Sequence, residues 1–438
     1  MHLLIIILAI VIQIGLTLKK VHPFFSLLLV AIFTGTCLGM QPEAVLVSIE
    51  KGVGSTLGGL ALILCLGAGL GKILELSGAA EQIAATLIKA FGIQHIQWAM
   101  LLTGLLVGLP MYYNAGFIIL VPLVCAVGIR TGLPMLYLLI PMAASLSTTH
   151  CFLPPHPGPV VLVKAMGADM GKTLLLGLII TIPAIIVAGP ILGRKLQHIQ
   201  IPVPDLFSAT TVPESERPSP LSSFMIALLP IFCITGSVIF RPFFSEGNKL
   251  GQWIGFLGDA NIALFISVMM AIYFLGIRKK TSLPTLMDWM NKGISGIAMI
   301  LMIITAGGVF KQVLIDSGTG NYIVSISREL SMPPILFAWL TTAILRVTLG
   351  SATVAGLTAA GLVAPLVTGG VIAPEMMVLA VGAGSVFGSH INDSGFWMFK
   401  EFFQLTLKQT FLSWTLMETI ISIMGLLGVL TLNSLLYP

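Results

Sequence analysis

A chain of 438 residues in which 56% are hydrophobic and only 9% charged is not built for water, since soluble domains carry about 25% charged residues. The formal charge of +5 does not mark a nucleic-acid partner, because the basic residues stand in short loops between apolar runs and read as topology signals. Five cysteines without CxxC spacing give neither a disulfide framework nor a metal site, and with no Walker A sequence the expected energy source is an ion gradient.

In chain order, the first apolar runs of about membrane-spanning length are residues 3–18 and 24–40. The first has no charge before it and Lys19 and Lys20 after it, the reverse of a secretory signal, so it is expected to remain as a helix with its N-terminus outside. A signature at 72–80, Lys-Ile-Leu-Glu-Leu-Ser-Gly-Ala-Ala, leads through an amphipathic stretch to two short apolar arms, 96–109 and 115–129, around a polar tip. An apolar segment interrupted near His150 and a closing run at 172–192 follow. A connection rich in Pro, Ser and Glu comes next, between Pro202 and Pro220.

The order then repeats. Runs at 222–240 and 257–277 precede the signature Lys311-Gln-Val-Leu-Ile-Asp-Ser-Gly-Thr319, the arms 335–349 and 354–368, a segment interrupted near His390, and a closing run at 409–432. The separation from Ser77 to His150 equals that from Ser317 to His390. Arms shorter than about 17 residues suit re-entrant hairpins better than spans. Each half then has about five spans plus a hairpin and a broken helix, and an odd span count inserts the second half upside down.

The expected fold is an all-α polytopic membrane protein with an inverted repeat, halves 1–196 and 222–438, and a cytoplasmic linker at 197–221. Most of the 22 Lys and Arg fall in loops that this arrangement assigns to the cytoplasm, which supports roughly ten spans with both termini outside. If the hairpin arms cross the bilayer instead, the count rises to as many as about 14.

Irregular backbone at membrane depth survives only in protein or beside a watery cavity, so the two tips and two breaks mark the expected binding site. The first tip, Gly108-Leu-Pro-Met-Tyr-Tyr-Asn-Ala-Gly116, offers Tyr112, Tyr113 and Asn114. At the second, Arg346-Val-Thr-Leu-Gly-Ser-Ala-Thr353, Gly350 and Ser351 can open a helix N-terminus whose amides, with the Ser351 and Thr353 hydroxyls, take an anion's oxygens. Arg346 either holds a carboxylate or snorkels to the surface.

The first break, 147–159, contains Thr149, His150, His156 and four prolines that free backbone carbonyls. The second, 388–395, contains His390, Asn392 and Asp393. Asp393 either carries a proton or caps the helix restarting near Phe396. His150, His156 and His390 serve substrate or proton, or simply satisfy nearby backbone. Lys72 and Lys311 either snorkel or pair with Glu75 and Asp316, and Glu418 makes a structural hydrogen bond or relays a proton. Gly67, Gly69, Gly71, Gly307 and Gly308 are expected to permit close helix packing.

At these positions the sequence resembles the gluconate permease family. The resemblance is carried by Gly-Gly-Val-Phe-Lys-Gln-Val-Leu-Ile-Asp-Ser-Gly (307–318), Leu-Arg-Val-Thr-Leu-Gly-Ser-Ala-Thr-Val-Ala (345–355), His-Cys-Phe-Leu-Pro-Pro-His-Pro-Gly-Pro (150–159) and Ser-His-Ile-Asn-Asp-Ser-Gly-Phe-Trp (389–397), in order along the whole chain. It implies proton-coupled uptake of gluconate or a related sugar acid across a bacterial inner membrane, with no cofactor beyond the coupling proton. Carriers of D-serine and of hexuronate or fructuronate are relatives. It also implies the ion transporter superfamily, in which tips and unwound helices form a midplane site and a mobile domain moves against a dimeric scaffold.

On this reading Arg346, Ser351, Thr353, Asn114, Tyr113, Thr149, His150, His156 and Asn392 hold the substrate, and Asp393 or His390 takes the proton. Gluconate members often place an acid after the two aromatics of the first tip, where this chain has Asn114. Either the proton site is then elsewhere, which favours Asp393, or the substrate differs from gluconate. An anion channel and a membrane-embedded enzyme are the rival classes. The inverted repeat disfavours the first, and the lack of a paired metal or nucleophile motif disfavours the second.

Overall fold

The computed structural model describes residues 2–111, 113–199, 201, 212–245, 247–318, 332–391 and 393–437, and these form helices joined by turns, without a strand. The first half comprises α1 (His2–Leu18), α2 (Pro23–Cys37), α3 (Pro42–Leu76), α4 (Ala79–Phe91), α5 (Ile96–Gly108), α6 (Tyr113–Thr131), α7 (Met135–Phe152), α8 (Pro157–Met166) and α9 (Met170–Leu196). The second comprises α10 (Pro220–Phe243), α11 (Lys249–Gly258), α12 (Ala260–Lys279), α13 (Leu283–Asp316), α14 (Pro334–Leu349), α15 (Ala352–Thr368), α16 (Pro374–Gly384), α17 (Ser394–Phe402) and α18 (Leu407–Leu436).

Local chemistry sets these boundaries. Asp169, Asn248, Asp259 and Ser282 each precede a helix and accept hydrogen bonds from its first-turn amides. Proline opens α3, α8, α13, α14 and α16, where its missing N–H has no partner to lose. At the far end of α3, Ser77 and Gly78 turn the chain, Gly78 taking a left-handed φ of 76°.

Among the described residues, seven helical segments are long and apolar enough to cross a membrane: α3, the α7–α8 pair, α9, α10, α12, α13 and α18. The expected spans α1 and α2 are shorter, at 17 and 15 residues. The second broken segment is shorter too, because α16 ends at Gly384, residues 385–391 are not helical, and α17 starts only at Ser394. The hairpin arms α5, α14 and α15 have 13, 16 and 17 residues. Arm α6 is longer than expected, 19 residues, because it starts at the tip itself.

The long helices α3 and α13 cross in close contact. A Cβ on Gly52 would lie 2.7 Å from the Val309 Cα, and one on Gly293 would lie 2.7 Å from the Ala68 carbonyl. Of the signature glycines, Gly69, Gly71, Gly307 and Gly308 face neighbours at close range, whereas Gly67 faces open space at a small cavity. Helices α7, α15 and α16, buried on nearly every side, form the centre, and α16 buries every residue from Glu375 to Gly384. Phe232, Phe240, Leu427 and Leu435 on α10 and α18 are exposed, as lipid-facing side chains should be.

Two lysines resolve differently. Lys72 pairs with Glu75 at 2.6 Å, as one of the two readings holds. Lys311 neither snorkels nor meets Asp316: its ammonium donates to the Ala165 carbonyl in the last turn of α8, where a helix favours a cation. Asp316 instead accepts from Ser48 and Gln312, both at 2.8 Å, and lies 3.7 Å from Lys51. The linker is not simply solvated at its described end. The Val212 amide and Arg217 both bind Glu81 of α4, at 3.1 and 3.4 Å, while residues 202–211 lie outside the described residues.

Candidate functional site

Both tips and both breaks contribute to one cavity of about 270 Å³. Tyr113 comes from the first tip, Gly350, Ser351 and Thr353 from the second, His150 from the first break, and Asp393 and Gly395 from the second. Ser147, Arg346, Trp414 and Glu418 complete the polar wall, with Ile300 and Ile303 of α13 as an apolar one. Such a mixture, mostly apolar surface with a few convergent polar groups, suits a small organic ligand.

The second tip is shaped by Gly350, which ends α14 with a φ of 75° that a side chain would strain. Ser351 then caps α15, accepting from the Val354 amide at 3.4 Å. The N-terminus of a 17-residue helix therefore opens on the cavity, its dipole favouring negative charge there.

Arg346, in the last turn of α14, is 2% exposed and does not snorkel. One guanidinium nitrogen, Nη2, donates to Asp393 Oδ2, while Nε and Nη1 are buried without a hydrogen-bond partner among the described residues. Asp393 is fully engaged. Its Oδ2 also accepts from the Ser389 hydroxyl, which itself accepts from Trp414 Nε1 at 2.7 Å. Its Oδ1 caps α17, accepting from the Gly395 amide at 2.9 Å. The capping reading of Asp393 is thus realised, joined to an ion pair. Gly395 is needed for this packing, since a Cβ there would lie 2.8 Å from the Trp414 ring.

Glu418 lies one helical turn beyond Trp414, on the same face of α18. The turn that carries Trp414, Phe411–Thr415, is π-helical, a distortion frequent at functional sites. Glu418 is 2% exposed; Oε2 accepts from Ser147 at 2.8 Å and Oε1 has no partner among the described residues. The Tyr113 hydroxyl is likewise buried and unpartnered, its ring held between Phe117 and Trp414.

Other candidates lie outside this wall. Thr149 donates to the Leu146 carbonyl and packs against Gly108 of α5. His156 lines a separate apolar cavity between the first tip and α3, α10 and α12, and its Nε2 lies 3.3 Å from Nδ1 of His150 in the main site. His390 binds the Gly388 carbonyl at 3.1 Å, the backbone-satisfying alternative. Asn392, Tyr112 and the Asn114 side chain are outside the described residues. Trp414 and Ser389 escaped the sequence reading, although Trp414 and Glu418 spaced four apart in an apolar run form a readable pattern.

A family model described as GntP family permease matches residues 1–436. The Gnt-II system L-idonate transporter of Escherichia coli K12 is 47% identical over 419 residues, covering 95% of each chain. A high-affinity gluconate transporter of the same organism is 47% identical over 415 residues, 94% of this chain and 95% of that one. The gluconate permease of Bacillus subtilis is 42% identical over 427 residues, with 94% and 95% covered. Among solved structures, the YdaH transporter of Alcanivorax borkumensis superposes with a TM-score of 0.70 at 16% identity, over 94% of this chain and 98% of that one. MtrF of Neisseria gonorrhoeae gives 0.64 at 15%, over 94% of each. At such identities these two likenesses show the fold alone. With the family model matched from end to end and relatives this similar, the chain belongs to the GntP family of permeases, a multi-pass membrane transport protein and not an enzyme.

Proposed function

We propose that this permease is a proton-coupled symporter that takes gluconate, idonate or a closely related sugar acid across the bacterial inner membrane. The observation that carries the reading is Arg346, buried in the cavity wall with Nε and Nη1 unpartnered, beside the open N-terminus of α15. A buried cation with unsatisfied donors is expensive unless an anion arrives to meet it. The relatives named for gluconate and idonate support a sugar-acid anion. Arg346, Ser351 and Thr353 bind its carboxylate, and Tyr113, Asn114 and His150 its hydroxyls, with Asn392, Thr149 and His156 supporting the two breaks. Asp393 orients Arg346 and ties it to α17.

In this reading the halves 1–196 and 222–438 act as inverted repeats around the site, joined by a cytoplasmic linker at 197–221. Binding shifts the inward–outward equilibrium only through differential affinity, so the form loaded with both substrate and proton is the one that crosses readily.

The test is uptake of labelled gluconate into proteoliposomes under an inward proton gradient, with and without a protonophore. Unlabelled idonate, fructuronate and D-serine serve as competitors. Protonophore-sensitive accumulation is expected, blocked most strongly by idonate. Gradient-independent equilibration would instead make the protein a facilitator or channel, and strong competition by D-serine alone would replace the substrate class.

A further inference from the structure

Besides its histidine and tyrosine the cavity holds three charged or chargeable side chains, Arg346, Asp393 and Glu418, and they are not equivalent. Arg346 and Asp393 form a pair, and Asp393 is engaged on both oxygens by Arg346, Ser389 and the Gly395 amide. Asp393 therefore already accepts from three donors. Among the described residues Glu418 has a single hydrogen bond, from Ser147, and a second oxygen that is buried with no partner. A carboxyl held this way fits either state: charged, it leaves Oε1 unsatisfied, and protonated, Oε1–H becomes a donor into the cavity.

From this geometry, and resting on the symport reading above, we infer that Glu418 is the side chain that takes up and releases the coupling proton. The step makes and breaks only an O–H bond: the Glu418 carboxylate accepts a proton from water on one side of the membrane and returns it to water on the other.

The charge balance of the cavity gives the coupling. Arg346 is the cation there, and Asp393 already offsets it. A sugar-acid carboxylate arriving at Arg346 and α15 adds one negative charge, and an ionised Glu418 in the same wall would repel it. Protonating Glu418 removes that repulsion, so substrate and proton each favour binding of the other, and the coupling is reciprocal.

The groups that face Glu418 fit this role. Arg346 comes from α14, Asp393 from the second break, Tyr113 from α6, and Ser147, His150 and Cys151 from α7. Helices α9 and α16 also pack on α18. Their titratable groups are Lys172, Arg194 and Lys195 in the end turns of α9, and Glu375, which accepts from the Asp169 amide at 3.1 Å. Apart from Arg346, no cation among the described residues shares this wall to hold Glu418 charged.

The deciding experiment compares wild type with Glu418→Gln in proteoliposomes, reading gluconate counterflow and proton-driven accumulation in parallel. The variant should keep counterflow within about threefold, lose protonophore-sensitive accumulation, and bind gluconate without the pH dependence of at least about fivefold expected of the wild type. Full protonophore-sensitive accumulation by Glu418→Gln, with the wild type also accumulating, would overturn the assignment and leave the symport reading intact. A wild type that does not accumulate sinks the symport reading itself. If Glu418→Gln loses counterflow too, proton uptake decides: gluconate binding to wild type in weakly buffered detergent should draw in a proton, and Glu418→Asp should keep this with a displaced pH profile. No proton uptake by wild type overturns the proposal.

Discussion

The two hairpin tips occupy matched places in the sequence but do different work. The first, around Pro110, is packed against α3, α10 and α12 at a small apolar cavity, with the Pro110 carbonyl against Gly71. The second opens a helix N-terminus onto the polar cavity, next to a buried arginine. The breaks divide similarly: the first supplies imidazoles and hydroxyls, the second the Asp393 carboxylate that anchors Arg346. One half thus supplies shape and hydrogen bonds, and the other supplies charge. Binding energy should therefore be concentrated in the second half, and variants at matched positions should separate affinity from stability.

The largest effect is expected at the ion pair. Arg346→Ala leaves the half-buried Asp393 without its ion-pair partner, which should lower stability by about 3 kcal/mol and abolish gluconate binding. Thermal unfolding in detergent and calorimetric titration read the two effects. Arg346→Lys keeps the charge but loses the planar fork, so binding should still fall steeply while much of the stability returns. Retained wild-type affinity in Arg346→Lys would show that the anion is held elsewhere.

Asp393 separates the cap from the charge. Asparagine caps helices as well as aspartate does, so Asp393→Asn should lose only the pairing contribution, whereas Asp393→Ala should lose about 1 kcal/mol more. Equal melting temperatures for the two would remove the cap from the account.

Smaller effects distinguish the tips. At the second, Ser351→Ala removes the α15 cap, at about 1 kcal/mol, and should raise KM for uptake. At the first, Gly71→Ala puts a Cβ 2.9 Å from the Pro110 carbonyl, an overpacking of about 1–3 kcal/mol, and should lower stability with little change in gluconate affinity. Affinity falling in Gly71→Ala as much as in Ser351→Ala would erase the distinction. Smallest of all, Lys51→Ala removes an exposed partner of Asp316 and should change neither uptake nor stability by more than about 0.5 kcal/mol.

Much of the architecture was legible because its signals are local. Apolar runs, the proline cluster at 154–159 and Gly350-Ser351 locate the helices, breaks and second tip without any tertiary information. The ends of α2 and α6 were less so, since helix ends depend on neighbours as much as on composition. Within the site, residue type singled out Arg346 and Asp393, but their pairing joins positions 47 apart in sequence. Nothing local distinguishes His150, which reaches the cavity, from His156 and His390, which do not. Lys311 went astray for the same reason: the Ala165 carbonyl that holds it is 146 residues away.

The central claim, that both halves meet at one anion site, is most directly tested by substrate protection. In a chain whose five cysteines are replaced, Thr353→Cys and Tyr113→Cys report on the two halves when labelled by a small charged thiol reagent. Gluconate or idonate is expected to slow labelling at both positions in parallel, with the same half-protecting concentration. Protection at one position and not the other, or at neither with both sugar acids, would contradict a shared site.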